Sequence, residues 1–239
     1  MAAMGKRGAG FLATLEAFLM SKKIFHPRLH LPAYLNRHYG RPALILGAGP
    51  SLRTCRQEIE AFIWKRPVIL AANTAEAPRI ARTYTSFTNR RRFCEYGARI
   101  PPEVRLLIGP HIPRRTVRAI IGQRAFERMP FVRGEREFSV EQGIPQTDCY
   151  ESGILLFAVA YAMGCTELYG VGFDGYTRGA VNHADPRGDV DFKIERSIAR
   201  QERIKALLPK MRTWFSIRGV KGPVFLGRTA YQSVARESS

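Results

Sequence analysis

Pro42-Ala43-Leu44-Ile45-Leu46 is a run of five apolar residues that breaks at once into Gly47-Ala48-Gly49-Pro50-Ser51-Leu52. An apolar run without polar alternation is what a strand buried on both faces of a parallel sheet requires. Pro50 and Ser51 are helix-starting residues, a helical stretch follows from about Cys55 to Trp64, and Pro67-Val68-Ile69-Leu70-Ala71-Ala72-Asn73 is a second buried run. Two parallel strands need a crossover between them, and this spacing holds one helix. The pattern is a βαβ unit, whose hand is right in nearly every known case.

Further strands are expected at Tyr84 to Phe87, ending on Thr88-Asn89, and at Val104 to Ile108, ending on Gly109-Pro110-His111. From Ser152 the sequence reads as a buried helix that closes at Gly164, followed by a strand from Glu167 to Phe173. After a loop rich in Gly, Asp and Pro, a charged amphipathic helix is predicted from about Phe192 to Leu208, and a strand at Thr213 to Ile217 is expected to close the sheet. The fold class is therefore α/β: a Rossmann-like, mostly parallel sheet with helices on both faces, preceded by an N-terminal amphipathic helix. Residues 1–40 divide into that helix and a basic linker, 41–234 form a single domain, and 235–239 are a polar tail.

Of 239 residues, 45% are hydrophobic, which excludes disorder as the overall state. The 38 Lys and Arg outweigh 20 Asp and Glu, leaving a net charge of +18 that predicts an anionic partner, with phosphate the common denominator. More than half of that charge falls between Arg79 and Arg136, where 14 arginines meet four acids and no lysine. The four cysteines (Cys55, Cys94, Cys149 and Cys165) stand singly, which suggests neither a zinc ribbon nor a disulfide framework and points to a reduced, cytoplasmic setting. No apolar run approaches the roughly 20 residues that span a bilayer. The stretch Gly10 to Met20, flanked by Lys6, Arg7, Lys22 and Lys23, reads as an amphipathic helix that either packs on the domain or lies on an anionic membrane surface.

Gly47-Ala48-Gly49 between a strand and a helix has the form of a phosphate-binding turn, because residues without side chains let ligand oxygens approach N–H groups at a helix N-terminus. It departs from the dinucleotide fingerprint, since Leu52 replaces the third glycine and neutral Asn73 ends the second strand where an acid would hold a ribose hydroxyl. It is not a P-loop, for no Gly-Lys-Ser/Thr follows. Gly47, Asn73, Asn89 and Asp174 each fall at or just after the carboxyl end of an expected parallel strand, the edge where open α/β sheets bind ligands. Ser152-Gly153 opens a helix on the same edge.

Three motifs in order, Gly47-Ala48-Gly49-Pro50-Ser51-Leu52, the Ser152-Gly153 helix ending in Ala162-Met163-Gly164, and Leu168-Tyr169-Gly170-Val171-Gly172-Phe173-Asp174-Gly175-Tyr176, resemble the bacterial sialyltransferases of glycosyltransferase family 42. They are similar about as well to proteins related to 6-hydroxymethylpterin diphosphokinase and to motility accessory factors. The resemblance covers Pro42 to about His183. It implies a nucleotide whose leaving group is a nucleoside monophosphate, held by Gly47, Ala48, Gly49, Pro50, Ser51 and Asn73, with Ser152 and Gly153 contacting the donor. It also implies a leaving-phosphate role for Tyr176 after Asp174, and a general base at His183. Ala48 stands where the sialyltransferases usually carry Asn, which the diphosphokinase-like group tolerates.

Such a transfer needs a base for the acceptor hydroxyl and a group to neutralise the departing phosphate. His183 suits the first role near neutral pH, with His111 an alternative. Tyr176 and arginines of the 79–136 segment, densest at Arg90-Arg91-Arg92, suit the second. The leading expectation is a metal-independent glycosyltransferase with a CMP-linked sugar donor, no further cofactor, and a glycan or lipid-linked acceptor. It is compatible with docking on anionic lipid and with a homo-oligomer. A Mg²⁺-dependent diphosphokinase is the alternative, with Asp174, Asp185, Asp189 and Asp191 as ligands. A basic nucleic-acid-binding module is the third reading, although no RNA-binding strand of interleaved aromatics and no helix-turn-helix pattern is seen, so nucleic acid is not the expected partner.

Overall fold

The computed structural model describes residues 31–73, 75, 80–133, 138–149, 151–178, 180, 182–183, 194–227, 229 and 231. The expected N-terminal helix and the polar tail at 235–239 lie outside them. Ten strands are described: β1 (Pro42–Leu46), β2 (Val68–Ala72), β3 (Tyr84–Phe87), β4 (Arg105–Ile108), β5 (Glu127–Arg128), β6 (Val132–Arg133), β7 (Ser139–Glu141), β8 (Ile144–Thr147), β9 (Glu167–Val171) and β10 (Lys221–Phe225). Seven form one sheet in the order β10-β9-β1-β2-β3-β4-β5, and every neighbouring pair is parallel. The chain steps outward from β1 to β5, then returns to build β9 and β10 on the other side of β1. The order therefore reverses between β1 and β9, and their carboxyl ends diverge there into a crevice.

Side chains alternate across the sheet, as a period of two requires. Ala43, Ile45, Leu70 and Leu168 face α5 (Ser152–Ala162) and α6 (Ile194–Ser216). Leu44, Leu46, Ile69 and Val171 face the opposite way, onto Ile59 and Phe62 of α2 (Arg56–Ile63), which follows the single turn α1 (Ser51–Thr54). Phe87, Leu106 and Ile108 meet Phe93 of α3 (Arg90–Tyr96) and Val117 of α4 (Arg114–Ile121). Both faces are thus covered, which is why the strands could be read as unbroken apolar runs. Helix α5 is buried at Ser152, at every residue from Ile154 to Ala160 and at Ala162, so it is apolar all round rather than amphipathic.

A small second sheet, β6-β8-β7, was not foreseen. Its β7–β8 hairpin turns on Gln142-Gly143, both at positive φ, as a two-residue hairpin loop demands. The expected strand at Thr213 to Ile217 is corrected: α6 runs through it to Ser216, and β10 follows at Lys221–Phe225 beside β9. The helix expected to end at about Leu208 thus continues through Pro209. The stripe Ile204, Leu207, Leu208, Met211 and Phe215 is buried on one side of Pro209 and the other, and that burial carries the helix past it.

Residues 31–40, expected as linker, belong to the domain. The N–H groups of Asn36, His38 and Gly40 donate to the carbonyls of Ala162, Met163 and Gly164 at the end of α5, and Tyr34 is wholly buried. All four cysteines are free thiols. Among the described residues no helix is long and apolar enough to cross a membrane.

Candidate functional site

The glycine turn after β1 is built against the end of β9. Gly47 N–H donates to the Val171 carbonyl at 2.7 Å and Gly49 N–H to the Gly172 carbonyl at 2.8 Å. The Asp174 carboxylate accepts from Ser51 N–H at 3.0 and 3.1 Å and from Ser51 Oγ at 2.8 Å, while Ser51 Oγ accepts from Gly172 N–H at 2.8 Å. A Cβ on Gly49 would overlap the Asp174 carboxylate and come within 2.8 Å of the Gly172 carbonyl oxygen. Gly172 has φ +79, and a Cβ there would approach the Gly47 carbonyl oxygen to 2.5 Å. The glycines are therefore required by the approach of two turns. Asp174 serves as the anion at the start of α1, the place the sequence reading gave to phosphate.

Beside these turns, at the crevice between β1 and β9, lies a pocket of about 130 Å³. Gly47, Ala48, Gly49, Asn73, Ser152, Gly153, Asp174, Tyr176 and His183, all expected at a site, line it together. Pro50 stands behind them as the residue before α1. Asn73 has φ +55, its N–H donates to the Ser86 carbonyl at 2.8 Å, and its side-chain Oδ1 is buried with no hydrogen-bond partner. An orphaned acceptor at the wall of a pocket is a group prepared for a donor from outside the protein.

Helix α5 starts at the pocket. Its first internal bond runs from Leu155 N–H to the Glu151 carbonyl, so the N–H groups of Ser152, Gly153 and Ile154 have no partner within the helix. The N-cap residue Glu151 makes no side-chain hydrogen bond to them, and no acid stands in the first turn. The Ser152 hydroxyl is turned to Thr88, with Oγ–Oγ 2.5 Å, and accepts from Thr88 N–H at 3.3 Å. It pins the start of α5 to the tip of β3. The N–H groups of Gly47 and Gly49 are taken up by the carbonyls of Val171 and Gly172, whereas those at the start of α5 have no partner within the helix.

Tyr176 and His183 are brought together, their ring centroids 5.8 Å apart in an edge-to-face contact. Asn182, 7% exposed, fixes the turn that carries His183: its Oδ1 accepts from Thr177 N–H, and its Nδ2 donates to the carbonyls of Thr177 and Ala180. Gln201 of α6 accepts from Tyr176 N–H at 2.6 Å. Arg200, one residue earlier, lines the pocket and pairs with Glu151 at 3.3 Å. Tyr231 closes another wall, and burial pushes its hydroxyl well above the usual tyrosine range, reinforced by Tyr176 and Glu151. Sequence reasoning found none of Asn182, Arg200, Gln201 or Tyr231. Spread over the loop before α6, α6 itself and the terminal segment, they form no motif.

Other expectations are corrected. Asn89 is exposed and outside the pocket; its Oδ1 accepts from Arg92 N–H and caps α3. Among the described residues, none of the arginines of the 79–136 segment lines the pocket. Arg124 donates to the carbonyls of Ile100, Pro101 and Val104, and Arg128 to those of Gly109 and Ile112, so both fasten loops. His111 lies beside Phe131, away from the pocket. Asp185, Asp189 and Asp191 lie outside the described residues, among which no group of three or more His, Cys, Asp or Glu is placed to hold a metal. No protein-family model matches this chain, and no curated protein sequence does.

Proposed function

We propose that the pocket binds a nucleotide-activated donor and transfers its sugar to an acceptor hydroxyl, as a glycosyltransferase of the sialyltransferase-like kind with a CMP-linked donor. One observation carries this reading: Tyr176 and His183 touch each other in a pocket that also receives the N–H groups at the start of α5, which have no partner within the helix. A base, an acidic hydroxyl and a phosphate-binding helix start are the three parts such a transfer needs.

In the reaction His183 accepts the proton of the acceptor hydroxyl. The acceptor oxygen then bonds to the anomeric carbon as the bond from that carbon to the phosphate oxygen breaks, and the electron pair leaves with the nucleoside monophosphate. The developing charge meets the N–H groups of Ser152, Gly153 and Ile154, the Tyr176 hydroxyl and Arg200, which leaves Glu151 for the phosphate. Asn73 Oδ1 accepts from a ribose hydroxyl or an amine of the base. Gly47, Ala48 and Gly49 form the floor of the pocket, while Pro50, Ser51 and Asp174 keep that floor in place. The acceptor is a glycan or lipid-linked saccharide of surface-glycan synthesis, made on the cytoplasmic side.

The test is a thermal-shift panel of CMP, CDP, UDP, GDP, ADP and ATP, with and without Mg²⁺. CMP should raise the melting temperature without metal, because a ligand selective for the native state stabilises by about 2.7 kcal/mol at 100 times its Kd. A shift with ATP and Mg²⁺ alone would replace this reading by the diphosphokinase. His183→Ala should lower release of CMP from the donor by about two orders of magnitude with its CMP shift intact. Unchanged turnover would remove His183 from the chemistry.

A further inference from the structure

The opposite edge of the sheet, where the strands begin, has a surface of its own. Four large hydrophobic side chains are strongly exposed among the described residues, and three of them sit there: Tyr39 at 81%, Trp64 at 88% and Ile217 at 77%. Tyr39 precedes β1 and lies against Gly164 at the end of α5. Trp64 ends α2 just before β2, and Ile217 follows the last turn of α6 just before β10.

Exposed basic residues stand among them at Arg41, Lys65, Arg66, Arg218 and Lys221. Hydrogen bonds knit this edge into one surface: Arg41 donates to the Arg66 carbonyl at 2.7 Å, Thr166 N–H to the Arg41 carbonyl, and Lys221 N–H to the Thr166 carbonyl. Lys65 and Lys221 both lie over the ring of Tyr169, at 5.7 Å. Glu167 lies 3.7 Å from Lys65, one carboxylate beside five exposed cations, so the patch is cationic.

We infer that this strand-start edge docks on the surface of an anionic lipid bilayer. Indole and phenol rings favour the headgroup level of a membrane, an exposed aliphatic side chain gains by entering the acyl boundary, and lysine and arginine add attraction to anionic headgroups. Nucleic acid would engage the same cations and could stack on Tyr39 and Trp64, but it has no use for the exposed aliphatic Ile217, which a bilayer takes up. The surface is separate from the pocket and does not depend on its proposed chemistry.

The test is sedimentation of the full chain with vesicles of phosphatidylcholine alone and of phosphatidylcholine with about one-third phosphatidylglycerol, where the anionic vesicles should bind more tightly. In the full chain, Lys65→Glu with Arg66→Glu should weaken that binding at least about tenfold, and Trp64→Ala with Ile217→Ser should weaken it comparably. These side chains are exposed, so an unchanged melting temperature confirms that each variant is folded. Binding by the variants equal to the parent chain would overturn the proposal, since the membrane contact would then lie in residues 1–30 or elsewhere. Tight binding to a duplex oligonucleotide, lost in the same charge variants while vesicles are ignored, would overturn it in favour of nucleic acid.

Discussion

Ser51 is wholly buried and its hydroxyl ties the start of α1 to the turn after β9, donating to Asp174 while accepting from Gly172 N–H. Removing it leaves a buried N–H without a partner and the carboxylate with one donor fewer. Ser51→Ala should therefore cost about 1–3 kcal/mol, read as a lowered urea midpoint with unchanged slope. The same geometry changes how a glycine variant is to be understood. Gly49→Val, which the turn's sequence suggests would fill a phosphate site, would instead drive a side chain into Asp174 and the Gly172 carbonyl. Loss of ligand binding in that variant would report a broken turn. Gly47, Gly49 and Asp174 could be recognised from sequence because strand-end residues stand out after apolar runs. Their attachment to one another could not, since the partners come from strands that are distant in the chain and meet only once β9 is laid beside β1.

Among the elements, α6 departs most from what its residues suggest. Pro209 removes one N–H and crowds the carbonyl of Lys205, four residues back, a cost of about 3 kcal/mol in a helix interior. Helix α6 spans it because Leu207, Leu208, Met211 and Phe215 are all buried against the sheet. Pro209→Ala should stabilise the protein by roughly 1–3 kcal/mol, the helix gain being offset in part by a freer unfolded chain. A melting temperature equal to or below that of the parent would show that the proline fits without strain. By contrast α5, β1 and β2 were readable almost to the residue, since full burial leaves a continuous apolar signature. Asn89 shows the limit of reading by position: it does end a strand, but an Asn before a helix is also a cap, and here the cap is what forms.

At the scale of the molecule, the two ends of the sheet differ in electrostatics. His38 lies at the strand-start end, with Nε2 2.8 Å from the Tyr84 hydroxyl. Burial, then the charges of Arg41, Arg37 and Arg105, hold its pKa below the ordinary histidine value. A histidine depressed in the folded state binds its proton more readily when unfolded. Its contribution is complete above about pH 6.5, the unfolded value, and is lost as pH falls below it. The urea midpoint should therefore decline between about pH 8 and about pH 5, and more steeply than in His38→Gln. Equal slopes in the two proteins would remove His38 as the cause. The arginine-rich segment looked from composition like ligand-binding charge. Arg124 and Arg128 instead spend their donors on loop carbonyls, a use that no count of charges reveals.

Since all seven strands of the main sheet point the same way, the protein has a polarity, with the pocket at the head and a greasy, cationic foot. Standing on a bilayer, it would hold its pocket at least one strand length, about 17 Å for five residues, above the lipid. An acceptor rooted in that same leaflet would have to arch around the body to arrive there. Such an arrangement favours long, pliant saccharides and freely diffusing ones over headgroups that lie flat.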